Sequence, residues 1–562
     1  MKRTTSDRAL LATCTLAFFL ACGGGGSSSS PTPPVGPSIT TAPTPQAGYA
    51  GDTVTYHVVA VGSGNTYQWL RNGTAISGAT TDTYVLPVQV ADDQAHFSVR
   101  VTASAGGSTT SPDALLDVLY AFPAVVAGHD HTLAITTKGL VYAWGVGANG
   151  QLGLGDYQAR MVPTAVTLPG PAVQVAAGWG HSLALLADGR VFAWGNNVSG
   201  QLGDGTTTTR NTPGAIPGVT NATYVTCGYD HNLMAKADQS VWLWGYNAMG
   251  QLAQGDKTNR LSPVSIPAAS SQIADVALGE LHTLILLTSN SLYGCGDNGY
   301  GQLGLPTSSG EHLILSPLIG GVKAIRAFSL YSVMIGTDGL PYGTGENVYG
   351  PLGDGSLTTR YGWVAMSTAG LPASTTLRDV VPGQYHTLFL GTQGSVASVG
   401  YNWYGQLGLG AATTTPYTAS QGITGLNALL VSAGSQSSYA LLPDFTVKAW
   451  GYNNNGRLGD GTATDRPAPV TISGLFLGPI PTGTTHFPPV AGLGLRTKGE
   501  AGRRRQWVRR DALDPGDSLS SMLNVCMLTG STTTGWGASP SVVATGPIGV
   551  AGAVGAPDVI LN

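Results

Sequence analysis

The sequence predicts an all-β protein, a closed seven-bladed β-propeller preceded by a small β-sandwich, and three observations carry that prediction. One set of short motifs returns seven times between residues 125 and 476, every 50 to 54 residues, and a fixed period of that length marks a repeat architecture. Glycine accounts for 81 of 562 residues and charged residues for only 10%, against roughly 25% in an average soluble protein. Between the glycines, apolar and polar residues alternate in short runs, the period-two pattern of half-buried strands.

The chain begins with Lys2, Arg3 and Arg8 around an apolar run over residues 9–21. That run is shorter than the roughly 20 residues a membrane span needs and fits the core of an export signal. Cys22 ends it, in Phe19-Leu20-Ala21-Cys22, and four glycines and four serines follow. The arrangement resembles a bacterial lipoprotein signal, which implies that residues 1–22 are the signal and that Cys22 carries the lipid. The expected location is the bacterial cell envelope, lipid-anchored or secreted, with the anchor as the one membrane contact. Residues 23–36 are too poor in apolar surface to order themselves and read as a flexible linker. The five cysteines, at 14, 22, 227, 295 and 526, give neither a disulfide framework nor metal-ligand spacing. No metal and no cofactor is expected.

Residues 37–119 hold alternating runs, Val54-Thr-Tyr-His-Val-Val, Tyr67-Gln-Trp-Leu, Thr83-Tyr-Val-Leu and Phe97-Ser-Val-Arg-Val-Thr, between Gly- and Asn-bearing turns. The segment Tyr67-Gln-Trp-Leu-Arg-Asn-Gly, with Asp92 to follow, resembles bacterial immunoglobulin-like domains. The resemblance implies a sandwich with Trp69 in its core, held by packing alone because no cysteine pair flanks the tryptophan. A spacer or adhesion role is expected of it.

From residue 125 the first motif is Gly-x-x-His, at His131, His181, His231, His282 and His386, with Ser332 and Ser437 read at the His position of two degenerate copies. The second is Trp-Gly, at Trp144, Trp194, Trp244 and Trp450, with Cys295, Thr344 and Val399 standing in elsewhere. The third is Gly-Gln-Leu-Gly, as at residues 150–153 and 200–203. Repeats start near 125, 175, 225, 276, 326, 380 and 431. Together these motifs resemble the regulator of chromosome condensation repeat family, over about 350 residues, and the resemblance implies a seven-bladed propeller of four-stranded blades. The residues point the same way unaided. Asp188-Gly189 divides two alternating runs as a tight hairpin turn would. A unit of this size cannot cover both faces of its own sheet, whereas seven closed into a ring can. An Asn sits two residues past each Trp-Gly position, at 197, 247, 298, 347, 402 and 453, with Gly147 in the first copy. Asn and Gly share tolerance of left-handed backbone, so a fixed left-handed turn is expected there. Residues 477–562 abandon the pattern and read as a poorly ordered tail with a small basic patch at Arg503, Arg504 and Arg505.

Symmetry-related histidines on a ring stand too far apart to converge on one ion, so the repeat histidines are expected to be structural, each hydrogen-bonded to a neighbouring turn. The Asp-Gly loops that end in Arg210, Arg360 and Arg466 lack the alternating oxygen ligands of a calcium loop and read as loop locks. The two residues before each His do not repeat. They are His129-Asp130, Trp179-Gly180, Tyr229-Asp230, Glu280-Leu281, Leu330-Tyr331, Gln384-Tyr385 and Ser435-Gln436. A scaffold position would recur, so these form the candidate partner-binding rim, with Asp130, Trp179, Tyr229, Asp230, Glu280, Tyr331 and Tyr385 as its named residues. In the member of the resembled family that activates a small GTPase, this loop contacts the GTPase, which implies Asp130, Asp230, His282 and His386 as the matching positions. The inserted wedge of that exchange factor has no counterpart here, which counts against exchange activity.

A formal net charge of −4 supplies no field for nucleic acid. No phosphate-binding loop, nucleophile elbow or His-Glu-x-x-His occurs. The expected function is therefore a protein-binding module that uses one propeller face, inhibiting or adhering to another protein. A hydrolase or lyase with a site assembled on that face is the alternative.

Overall fold

A computed structural model describes residues 36–478, apart from 50–52, 105, 120, 267–272 and 307–309. The expected signal, Cys22, nearly all of the linker and residues 479–562 lie outside the described residues.

The N-terminal part is a small sandwich. Strands Gln46–Tyr49, Ala114–Leu119, His96–Thr102, Thr66–Arg71 and Thr74–Ala75 run side by side in that order, and Ser108–Thr110 pairs with His96–Thr102. Thr53–His57 pairs with Thr83–Pro87 in a second sheet. The alternation dictates the packing. Val54 and Tyr56 point from one sheet, and Trp69, Phe97, Val99 and Leu116 from the other, into one core where all are buried. The Trp69 indole N–H donates to Thr81 O at 2.9 Å, which satisfies its one donor inside the core. Lys138, on the first propeller hairpin, pairs with Asp93 and Asp117 of the sandwich.

Seven four-stranded sheets follow, each built from four consecutive antiparallel strands. The second shows the plan: Ala172–Ala177, His181–Leu186, Val191–Gly195 and Arg210–Ala215. The first strand of each sheet lines a common axial cavity of about 330 Å³. Ala127 and Ser432, from the first and seventh sheets, meet through a 3.0 Å bond from Ala127 N to Ser432 Oγ. Trp144 of the first sheet shares its core with Leu430, Tyr439 and Leu458 of the seventh. The last strand of the seventh, Arg466–Phe476, ends where the repeat pattern does, and the next residue still packs on it. Leu477 is buried in that core and its carbonyl accepts from Thr137 N at 3.0 Å. The hairpin glycines Gly139, Gly189, Gly339 and Gly394 all take the positive φ the turn requires, and Gln239, Asn290 and Phe445 take it in the other three blades.

The motifs are contacts between blades. The loop Gly150-Gln151-Leu152-Gly153 reaches the next blade, where Gln151 O accepts both the Trp194 indole N–H and the Ser182 hydroxyl at 2.8 Å. Gln201 O does the same for Trp244 and for the amide of Asn232, and Gln406 O for Trp450 and Ser438. Gly153 stays glycine for space as well as for φ, since a Cβ there would lie 2.7 Å from the Trp194 indole nitrogen. Where Thr344 replaces the tryptophan, Trp363 of the neighbouring outer strand lies against Gly304 instead.

Two expectations are corrected. None of the six motif asparagines has positive φ. Their side chains are what the fold needs: the buried Asn197 amide accepts from Leu202 N at 2.8 Å and donates to Thr206 O and Thr208 O at 3.0 and 3.2 Å. Asn347 and Asn453 tie their loops the same way. Gly147 replaces Asn because a Cβ would run into the Gln158 carbonyl. The second correction concerns the fifth repeat. Strand register pairs Tyr331 with Gly345 as His181 pairs with Gly195, so Tyr331 and not Ser332 holds the His position.

Candidate protein-binding face

The buried histidines take no part in this face. His131, His181, His231, His282 and His386 are fully enclosed, and each Nε2 meets a side chain on the following blade at 2.7 to 2.9 Å: Ser182 Oγ, Asn232 Oδ1, Thr283 Oγ1, Ser332 Oγ and Ser438 Oγ. The partner is thus a strand residue of the next blade, in place of the neighbouring turn expected from sequence. Ser182, Thr283, Ser332 and Ser438 in turn donate to loop carbonyls, so the imidazole is the donor and its Nε2 carries the proton. Burial pushes His131, His231, His282 and His386 down to about 3, which keeps them neutral at ordinary pH. His282 and His386 cannot touch a partner from there, which corrects their inclusion among contact positions.

Tyr331 is corrected in the same way. It is 0% exposed, and its hydroxyl donates to His386 O at 2.6 Å, so it replaces the histidine as a bridge between blades. The residues that precede this position in the fifth blade are Ser329 and Leu330.

The remaining candidates do come together. Trp179 and Tyr229 stack at 5.5 Å with 12° between their planes, and the His129 ring meets their edges at 6.4 and 5.5 Å. His129 Nδ1 lies 2.9 Å from Asp130 Oδ1, which Arg457 Nη1 also approaches, at 2.7 Å. Burial works against the Asp130 charge, but the His129 hydrogen bond and the charges of His129 and Arg457 hold its carboxyl below the usual range. Asp230 stands on the opposite footing. Burial raises it, against the pull of His181 and a 2.9 Å bond from Gln201. Glu280 is likewise raised by burial although Ser329 Oγ donates to it at 3.3 Å.

Sequence reasoning missed half of this surface. The loop around each motif Asn lies beside the loop before each His: Tyr349 packs 4.7 Å from Tyr385, and a Cβ on Gly180 would lie 2.9 Å from the Asn149 amide. These loops add Glu346, Tyr349, Tyr401, Trp403, Tyr404 and Tyr452. Tyr349 and Tyr401 are 5.0 Å apart, Tyr401 lies 6.4 Å from both Trp403 and Tyr404, and Tyr404 is 4.4 Å from Tyr452. Arg457 covers the Tyr452 ring at 4.6 Å and returns the chain of contacts to Asp130. The signal that finds these positions is aromatic recurrence in part of the copies: Tyr precedes the fixed Asn at 246, 401 and 452 and stands two residues after it at 300, 349 and 404.

Of the residues of this face, His129, Trp179, Tyr229 and Glu280 line the axial cavity. Arg326 and Asp379 line the same cavity, and Arg326 lies between Asp275 and Asp379, at 2.9 and 3.2 Å. Among the described residues, no group of three or more His, Cys, Asp or Glu side chains is arranged to hold a metal ion.

The sequence matches the model of the regulator of chromosome condensation (RCC1) repeat at residues 138–185, 188–235 and 238–286, and a second model of that repeat at 124–151, 172–201 and 273–302. It is 34% identical over 210 residues to the probable E3 ubiquitin-protein ligase HERC4 of Homo sapiens, covering 36% of this chain and 20% of that one. It is 32% identical over 205 residues to the E3 ubiquitin-protein ligase HERC2 of Mus musculus, covering 34% of this chain and 4% of that one. The chain thus spans a fifth or less of these relatives. Among solved structures, Prp20p from Saccharomyces cerevisiae aligns with a TM-score of 0.54 at 20% identity, over 60% of this chain and 87% of that one. Human WBSCR16 aligns at 0.50 and 24%, over 58% and 87%. Residues 124–302 thus resemble regulator of chromosome condensation repeats, and the fold is a propeller of the type those structures share.

Proposed function

We propose that the protein is an exported protein-binding module, tethered through a lipid on Cys22, that captures another protein on the aromatic and acidic face of its propeller. The observation that carries this is the concentration of non-repeating Trp, Tyr and acidic residues on one face of a scaffold that otherwise repeats. Rings that cluster on a scaffold, with polar tips outward, are the usual anchors of protein interfaces. The likeness to Prp20p, whose binding properties to Gsp1p and histones are described, supports a propeller that works by binding. The N-terminal sandwich, taken as immunoglobulin-like, holds the face away from the membrane.

The test is affinity capture by the full chain, with the producing organism's secreted and surface proteins, against a Trp179→Ala, Tyr229→Ala, Tyr385→Ala triple variant. A saturable partner lost in the variant is expected, and a partner retained by it contradicts the face. Export and anchoring are tested by fractionation and lipid labelling, which Cys22→Ser should abolish. The hydrolase or lyase alternative draws on Glu280 and Asp230, whose raised carboxyls suit proton transfer. Turnover in a hydrolase screen that is lost in Glu280→Gln would favour it.

A further inference from the structure

One cation site on this face is already filled by the chain itself. The Arg457 guanidinium lies over the Tyr452 ring and against Asp130, at 4.6 and 2.7 Å. A planar guanidinium between a ring face and a carboxylate gains from both, and is less hydrated than an ammonium, so it is readily taken from water. Elsewhere on this face the same ingredients recur without an arginine. Tyr385 has Tyr349 beside it, and its phenol is raised by burial and by the charges of Glu346 and Glu280. Backbone bonds bring these groups together: Tyr229 N donates to Gly279 O at 3.2 Å, Glu280 N to Ser329 O at 2.9 Å and Glu346 N to Leu330 O at 3.0 Å, so Glu280 adjoins Tyr229 and both glutamates stand on the 329–330 turn. Burial raises Glu280 and Glu346, and Glu346 is raised further by Glu280. Among the described residues, the ion pairs of the face join Arg457 and His129 to Asp130, and none joins Lys or Arg to Glu280, Glu346 or Asp230.

We propose that the sector between Tyr229 and Tyr385 receives an arginine side chain of the partner protein, its guanidinium laid on a tyrosine ring and paired with Glu280 and Glu346. This rests on the protein-binding function proposed above and names the chemistry of the partner. The free face holds two half-buried carboxylates that repel each other, and an arriving guanidinium relieves that repulsion while its stem covers ring surface. Arginine is favoured over lysine because the delocalised fork can stack and bridge two carboxylates together.

The experiment is calorimetric titration of the full chain with a tetra-arginine peptide and with a tetra-citrulline peptide, which keeps the shape and loses the charge. Saturable binding of tetra-arginine alone is expected, weakened at least tenfold by Glu280→Gln combined with Glu346→Gln and, separately, by Tyr385→Ala. Asp188→Asn, at an exposed hairpin away from the face, should leave it unchanged. The two glutamine variants keep side-chain shape, so their fold is checked by an unaltered urea midpoint. Equal binding of both peptides, no binding of either, or tetra-arginine binding that survives the Gln pair overturns the assignment. If the arginine site fails while partner capture still depends on Trp179 and Tyr229, only this assignment falls. If capture is indifferent to the face, the protein-binding function falls with it.

Discussion

His131 Nε2 and Ser182 Oγ lie 2.8 Å apart across the seam between the first two blades, 51 residues from one another in sequence. Four more histidines repeat this bond, and burial lowers all five rings. An unfolded histidine titrates near 6.5. Four of these folded ones stand at about 3, so the unfolded chain binds more protons between those values and stability must fall as pH drops from about 6.5 towards 3. By pH 5 each such histidine costs on the order of 2 kcal/mol. Urea unfolding from pH 7.5 to 5 should show uptake of about four protons on unfolding, and a midpoint flat over that range would contradict the enclosure of the rings.

The central cavity holds the opposite sign. Asp275 stands at about 6, raised by burial that outweighs the attraction of Arg326, and Asp379 is raised for the same reason. Arg326→Met leaves two buried carboxylates without their shared cation and should cost about 3–5 kcal/mol at pH 7.5. Carboxyls raised in the folded state penalise it as pH rises through their range, so the deficit relative to wild type should narrow as pH falls below about 6. Equal deficits at pH 7.5 and 5.5 would contradict this.

Gly459 and Gly355 both have positive φ, yet a Cβ on Gly459 would lie 2.8 Å from the Trp144 indole nitrogen, whereas one on Gly355 meets nothing within 4 Å. Gly355→Ala should cost about 1 kcal/mol for the backbone alone. Gly459→Ala adds overpacking at the seam that closes the ring, about 1–3 kcal/mol more. Equal urea midpoints for the two variants would mean that the loop does not press on the tryptophan.

Asn197→Ala removes a buried amide that serves Leu202 N, Thr206 O and Thr208 O, and should cost about 1–3 kcal/mol. Hydrogen exchange at the Leu202 amide should rise more than at Leu252, where Asn247 still accepts. Unchanged protection at Leu202 would contradict the role given to the amide.

Most of the fold was legible because repetition multiplies weak signals. A single Trp-Gly or Asp-Gly means little, but seven partly degenerate repeats in register locate strands, hairpins and seams. What escaped the sequence depends on contacts between repeats. Tyr331 looked like a rim residue because a motif aligned on Ser332 slips by one position, and a slip of one moves a strand residue to the other face. The motif asparagines looked like left-handed turns because an amide's partners nine and eleven residues away do not show in composition. Glu346, Tyr349, Trp403 and Tyr452 were passed over because they flank a fixed residue and so look like scaffold. In space they complete the face with Tyr385 and Asp130.

The central claim is that non-repeating residues on this face bind a protein. The most direct test is calorimetric titration of the captured, purified partner into the wild-type chain and into the Trp179→Ala, Tyr229→Ala, Tyr385→Ala variant. Saturable binding that weakens about 100-fold or more in the variant, at an unchanged urea midpoint, is predicted from the loss of three ring anchors. Equal affinity for both chains would contradict it.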